Sequence, residues 1–352
     1  GIVSFSYFED VFSPMITAQV LITTTGNVIA DEDGDTTSIY NGLPLRGGEK
    51  VSFKIPANSE NNVDLEFTEE NGNELYVASI TNVLIEAEKE IFTLNLVSRE
   101  AITNETSRVG KKFPSSEPIS DSVKEIIKEY LLSDKKVDVD ETQNPYGFLG
   151  NLKKPFTIIT WLAAKSVPGT VSGGSATAGY FFFETKEGYH FRSVDSLITQ
   201  DPYEIEYTYS PKVIDNQAAD KDFKILSYTT TYNQNLIQNL ERGAYCTYRM
   251  YYNPISGRFT TPQQGLFKVS DYAKDMQNLG KDFEIFLPPV DKKNESLGDV
   301  PSRFVTGVLD FGTLERKGSR SRAKNADPME YHSQAMMRYN TIFTQQLELS
   351  LI

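Results

Sequence analysis

The run KPFTIITWLAAKSVPGTVSGGSATAGYFFFETKEGYHFRS, residues 154–193, decides how this chain is read. Pro155 suits the first turn of a helix, because the N–H it lacks would have no partner there. Ile158, Ile159, Leu162 and Ala163 recur at helical spacing on one face, with Trp161 beside it. The small residues from Gly169 to Gly179 read as a loop. They lead into an aromatic strand, Tyr180-Phe181-Phe182-Phe183-Glu184, which Gly188 turns back into Tyr189-His190-Phe191-Arg192-Ser193. Taken alone, this is a helix and a hairpin of an α+β unit.

Upstream, residues from Gly1 to Glu105 read as nearly all β. Ile16, Ala18, Val20 and Ile22 alternate with polar neighbours, as do Val51, Phe53 and Ile55, and then Val63, Leu65 and Phe67. Asn71-Gly72 between two such runs predicts a type I′ hairpin. Two longer strands are expected over Leu75 to Ala87 and Glu90 to Ser98, the second with Phe92, Leu94 and Leu96 on one side. So many strands in a short length predict a barrel or small sandwich. Ser120 is expected to cap a helix with Val123, Ile126, Ile127, Tyr130 and Leu131 as its apolar stripe. The polar stretch Ser133 to Asn144 reads as a loop.

Downstream, β patterning returns from Glu204 to Ser256, including Glu204 to Tyr209 and the aromatic run Tyr245 to Tyr252. Arg316 to Lys324 is a basic surface loop rich in Ser and Gly. Asp327-Pro328-Met329-Glu330 is a helix start, with a capping carboxylate, proline at the first position and Glu at the third. Met329, His332, Met336 and Tyr339 are expected to share one face of that helix. It feeds an alternating strand, Phe343 to Leu351, with nothing after it to pair with. With no Met at Gly1 and that unpaired last strand, the sequence reads as a piece of a longer polypeptide.

Composition narrows the function. A chain of 352 residues with 39% hydrophobic residues can build more than one packed core, and 19 Tyr and 21 Phe favour β structure. No apolar run reaches the roughly 18 residues of a spanning helix, so no membrane insertion is expected. One cysteine, Cys246, excludes an intrachain disulfide and a sulfur-rich zinc site, and reads as a buried thiol. The net charge of −13 argues against a protein that grips nucleic acid. It is compatible with a channel wall past which DNA slides.

The opening run resembles the hub proteins of contractile-tailed bacteriophages, trimeric rings that join the central spike of a baseplate to its tail tube. In that family a Pro-Phe helix precedes a hairpin of the form aromatic-Phe-Phe-Glu-Thr-x-x-Gly-Tyr-x-Phe. Pro155, Phe156, Phe182, Phe183, Glu184, Thr185, Gly188, Tyr189 and Phe191 match it. The segment from Leu94 through Ser98 and Glu100 to Asn104 is similar to the end of the family's first tube-like domain, and the helix-then-strand from Asp327 to Ile352 to its re-entry into the second.

The resemblance implies a mainly β fold with α+β insertions and two tube-like antiparallel β-barrel domains, the second discontinuous. The implied division is a first tube-like domain at 1–107 and an inserted domain at 108–200. A second tube-like domain follows from 201–245 with 326–352, around a second insertion at 246–325. The implied role is a virion protein of the tail baseplate, a homotrimer joining a sixfold tube to a threefold spike around a DNA channel. Its partners would be the spike, tube or tube-initiator proteins and the tape measure protein, with DNA only in transit. Another tail role, such as a tube-initiating ring or spike adaptor, would lack the long insertion. A carbohydrate-active or sugar-binding β protein would instead show a cleft with paired carboxylates and exposed aromatic rings.

The residues nominate no catalytic, cofactor-binding or metal site. His190 and His332 lie far apart, and no Gly-x-Ser-x-Gly elbow accompanies them. Asp31 to Asp35 begins like a calcium loop but carries Thr36 and Gly42 where an EF-hand needs Gly and Glu; as a solvated acidic loop it is a candidate to face an acidic lumen. Gly47-Gly48 and Gly173-Gly174 lack the Lys-Ser/Thr of a phosphate loop. No enzyme and no cofactor is expected.

Overall fold

The structure is a computed structural model that describes residues 1–25, 29–30, 36–43, 45–57, 63–86, 89–169, 177–202, 206–209, 223–232, 235–254, 256–272, 290, 293–309, 328–342 and 346–351. The acidic loop Asp31 to Asp35, Gly173-Gly174, the basic stretch Arg316 to Lys324 and the capping Asp327 lie outside the described residues. The fold is mainly β.

The first module comprises β1 (Ile2–Phe8), β2 (Thr17–Thr24), β3 (Ile29–Ala30), β4 (Thr36–Thr37), α1 (Ile39–Gly42), β5 (Lys50–Val51), β6 (Phe53–Ile55), β7 (Leu65–Phe67), β8 (Leu75–Glu86) and β9 (Lys89–Ser98). Five of these strands form an antiparallel sheet in the order β1-β2-β9-β8-β5, curled into a half-barrel. The alternation of Ile16, Ala18 and Val20 meets that of Phe92, Leu94 and Leu96 on its inner face, with Phe67, Leu75 and Val77. The hairpin expected at Asn71-Gly72 does not form. Gly72 turns with φ of +64°, but Asn71 has no positive φ, and β7 pairs with β6 while β8 leaves to pair with β9 and β5. The type I′ turn that the dipeptide allows is overridden by the long β8–β9 ladder.

An α+β module follows: α2 (Arg99–Thr106), β10 (Lys112–Phe113), α3 (Ile119–Glu129), β11 (Val137–Val139), β12 (Phe148–Leu149), α4 (Pro155–Ala163), β13 (Tyr180–Thr185), β14 (Gly188–Ser193) and α5 (Val194–Thr199). Pro155 opens α4, whose free Phe156 N–H donates to buried Asn104 Oδ1 on α2 at 2.9 Å. Val123, Ile126 and Ile127 from α3, with Leu131 just beyond it, meet Ile158, Ile159 and Leu162 from α4 over the hairpin aromatics. The cap of α3 is Pro118 rather than Ser120, because Ser120 is buried and hydrogen-bonds to Thr142 across the core. Ser133 to Asn144 is not simply a loop: β11 within it lies parallel to β14, Val139 opposite Phe191.

Next come β15 (Thr208–Tyr209), β16 (Lys224–Tyr232) and α6 (Leu236–Arg242), a helix that the β reading of Glu204 to Ser256 missed. β17 (Cys246–Asn253), β18 (Arg258–Phe259), α7 (Pro262–Gly265), β19 (Leu266–Lys268), α8 (Val269–Tyr272) and β20 (Arg303–Val308) build a further sheet around β17. Cys246 is buried in it.

The chain then runs through α9 (Pro328–Ile342) into β21 (Gln346–Leu351). β21 pairs antiparallel with β16, Leu349 opposite Tyr228 and Leu351 opposite Ile225, and β15 completes a three-stranded sheet. The last described strand therefore pairs far back in sequence, across the whole of the β17 sheet and α9. Met329, His332, Met336 and Tyr339 follow one face of α9 at helical spacing, but burial extends beyond that face. Ser333, Ala335, Met337 and Arg338 are buried, because the helix is packed between the α+β module and the β17 module.

Candidate functional site

The contacts that join these modules gather on the β13–β14 hairpin. The inward positions of β13 are Tyr180, Phe182 and Glu184, so the alternation ends on a carboxylate with no solvent exposure. Such a group is tolerable only when paired and hydrogen-bonded. Glu184 Oε1 lies 2.6 Å from Lys135 Nζ, and Oε2 accepts from Ser98 Oγ at 2.7 Å and from the Ile16 N–H at 2.9 Å. Lys135 Nζ also reaches Glu100 Oε2 at 2.8 Å, and Glu100 Oε1 accepts from Ser133 Oγ at 2.7 Å. Half-exposed Arg99 stands 3.3 Å from Glu100.

Burial pushes the Glu184 carboxyl above its ordinary value, against the pull of Lys135 and Ser98. Burial also penalises charged Glu100 and Lys135, but there the ion pairs win. The Glu100 carboxyl sits below its ordinary value and the Lys135 ammonium above it.

A second node fastens the other end of β13 to α9. Arg338 is buried and pairs with buried Asp195 on α5, and its other nitrogen donates to Thr177 Oγ1 at 2.6 Å. Gln334 Oε1 accepts from the Ala178 N–H at 3.3 Å. The Tyr339 hydroxyl accepts from the Tyr180 N–H at 3.0 Å and donates to the Tyr180 carbonyl at 2.5 Å. Tyr180 lies on the outer edge of the β11-β14-β13 sheet, so one hydroxyl satisfies both of its edge groups.

The histidines are held by different elements. His190 Nε2 lies 2.9 Å from Thr185 Oγ1, its Nδ1 lies 3.5 Å from Asp138 Oδ2, and its ring stacks on Phe183. A hydroxyl, an imidazole and a carboxylate in line resemble a nucleophile with its base. The neighbouring N–H groups are already committed, however: that of Glu187 donates to Thr185 Oγ1, and that of Lys186 to Glu9. They leave no oxyanion-binding pair at this turn, and the trio pins the hairpin. His332 Nδ1 lies 3.0 Å from Arg249 and lines a shallow groove of about 490 Å³ between α4 and α9, with Phe156, Trp161, Ala164 and Met336. Among the described residues no three His, Cys, Asp or Glu side chains gather to hold a metal. No helix among them is long and apolar enough to cross a membrane.

The β15-β16-β21 sheet carries an open apolar surface. Leu347, Leu349 and Leu351 alternate on one face at 59%, 45% and 43% exposure, with Tyr228 and Tyr209 beside them, edge to face at 5.2 Å. Three leucines in register exceed the scattered apolar residues of an ordinary surface.

No acid-base or ligand pattern in the sequence marked Glu100, Ser133, Lys135, Asp195 or Arg338. One signal was present: Glu184 occupies an inward position in an aromatic alternation, and a carboxylate there requires a buried partner.

The architecture, a curled β module, an α+β module and a sheet completed by the last described strand, has a counterpart among solved structures. The chain shares the fold of the 43 kDa tail protein of prophage MuSo2 from Shewanella oneidensis, with a TM-score of 0.50 over 99% of this chain and 76% of that one, at 8% identity. Weaker likenesses extend to a tail protein of Neisseria meningitidis MC58 (TM-score 0.43, 8% identity, 87% of this chain and 67% of that one). They extend also to an E. coli type VI secretion component that is itself structurally similar to the T4 tail proteins gp27 and gp5 (TM-score 0.36, 12% identity, 66% and 55%). No family model and no curated protein matches the sequence.

Proposed function

We propose that this protein is a structural subunit of a phage tail, and that it forms a homotrimeric hub ring between a sixfold tail tube and a threefold central spike. The observation that carries this reading is the pairing of β21 with β16, which leaves a sheet with a bare face of leucines and tyrosines. A surface of that kind is stabilised by association with another protein chain. In this reading residues 1–107 are a first tube-like domain. Residues 201–245 with 326–352 form the second, and 108–200 and 246–325 are insertions. Two tube-like domains in each of three copies would give pseudo-sixfold symmetry toward the tube and threefold symmetry toward the spike.

The partners of this reading are a second and third copy, the spike, tube or tube-initiator proteins and the tape measure protein. DNA would meet the protein only in transit, and a net charge of −13 suits a lumen that repels phosphate. The role is non-enzymatic. The shared fold of a tail protein and the committed N–H groups beside His190 both favour it. A sugar-binding β protein fits less well, because Tyr209 and Tyr228 stand on a flat sheet beside leucines rather than in a cleft with carboxylates.

Mass measurement in solution with negative-stain imaging tests the ring. A trimer is expected, with Leu347→Asp and Leu349→Asp together giving folded monomers. A monomer at all concentrations, or a ring of six identical copies, would refute the reading. For the channel, a calculated potential on the assembled ring should show an acidic lumen; one lined mainly by Lys and Arg overturns it.

A further inference from the structure

We propose that β13 is a strut that sets the orientation of the β17 sheet relative to the first sheet, through a buried polar fastening at each of its ends. The inference does not rest on the ring, since every contact it uses lies within one chain.

The strand is short and stiff. From Tyr180 to Glu184 it spans about 13 Å, at about 3.3 Å per residue. Its inward side chains are locked by rings: Phe182 stacks on Tyr189 at 5.4 Å, Tyr180 packs on Phe191 at 4.7 Å, and Phe156 of α4 lies 5.8 Å from Phe182. At the Glu184 end the bonds run to Ile16 and Ser98, which border β2 and end β9, so the strand is tied to the two central ladders of the first sheet. At the Tyr180 end they run to Tyr339 on α9, with Arg338–Asp195 and Gln334–Ala178 alongside. α9 in turn packs on the β17 sheet, with Met337 against Tyr245, Phe267 and Tyr272. On the opposite face of β13, Phe181 touches both sides at once: Phe12 of the first module at 5.3 Å and Tyr339 at 5.2 Å.

Polar groups are suited to this task. Apolar contacts tolerate sliding, whereas a buried carboxylate displaced from its donors leaves an unpaired charge. Each fastening therefore admits one seating of its module.

Spin labels on Gln19→Cys in β2 and Thr306→Cys in β20, in a Cys246→Ala background, measure the distance between the sheets. Both label sites are exposed, and Cys246 is the sole native cysteine. A single narrow distance is expected for the parent, broadening into several in Glu184→Ala and in Arg338→Met, but not in Lys124→Ala on the outer side of α3. Narrow distances in both fastening variants overturn the proposal, as does loss of folding of both sheets in each, because the groups would then serve module folding instead of seating.

Tyr339→Phe keeps the ring and removes only the hydroxyl. It should raise exchange of the Tyr180 amide about tenfold with β2 and β17 amides unchanged; unchanged exchange at Tyr180 also overturns the proposal.

Discussion

The Glu184 carboxylate and the Ile16 N–H, 2.9 Å apart, belong to segments separated by 168 residues. The same carboxylate holds Lys135 and Ser98, so one side chain of the hairpin gathers the end of β9, the approach to β2 and the segment before β11. That convergence makes the junction sensitive to single substitutions.

Glu184→Ala leaves the Ile16 N–H and Ser98 hydroxyl without their acceptor and Lys135 with one carboxylate instead of two. Removing one member of a buried charged set costs about 3–5 kcal/mol. Urea unfolding should show that loss, with Glu184→Gln losing less because its amide oxygen can still accept from Ser98 and Ile16.

The network also sets an acid response with two opposing parts. Glu184, whose carboxyl is raised by burial, contributes stability that is full below the ordinary glutamate value and is lost as pH rises through its folded value. Glu100, held low by Lys135 and Ser133 despite its burial, contributes stability that is full above that value and is lost as pH falls through its folded value. The stability of the parent relative to Glu184→Gln should therefore fall as pH rises above the ordinary glutamate value of 4.5. Relative to Glu100→Gln it should rise from acid toward the ordinary glutamate value. Urea titrations at several pH values measure both slopes, and Lys135, Arg99, Tyr7 and Tyr189 are the charged or titratable neighbours unchanged in each comparison.

Gly188 turns β13 into β14 with φ of +134°, and a Cβ there would stand 2.1 Å from the Lys136 carbonyl oxygen. Gly188→Ala should cost about 1–3 kcal/mol from the backbone alone, with more from the clash. Thermal unfolding should show the loss, and exchange of the Tyr189 amide, which donates to the Lys136 carbonyl at 2.9 Å, should rise most.

Cys246 is fully buried on β17, and burial pushes its thiol up to about 11. At pH 8 the native protein should give no reaction with a thiol reagent on the timescale of minutes, and one equivalent per chain after denaturation. Prompt reaction of the native chain would mean that the β17 sheet opens.

The amino-acid sequence by itself determined the elements with a local cause. Pro155 set the start of α4, and Gly188 with the alternating aromatics set the hairpin and its inward face. The pattern of Ile16, Ala18 and Val20 against Phe92, Leu94 and Leu96 set two central strands of the first sheet. Side-chain period and turn chemistry act over a few residues, so they can be read there. Tertiary structure alone decided the partners. Val137 to Val139 is a strand because β14 offers its edge, Ser120 is drawn from a cap into the core by Thr142, and Asn71-Gly72 makes no hairpin because β9 takes β8. Glu184 shows the boundary between the two. Alternation turns it inward, which is legible in its neighbours, but Lys135, Ser98 and Ile16 meet it only because the chain path brings them there, and no local period records that path.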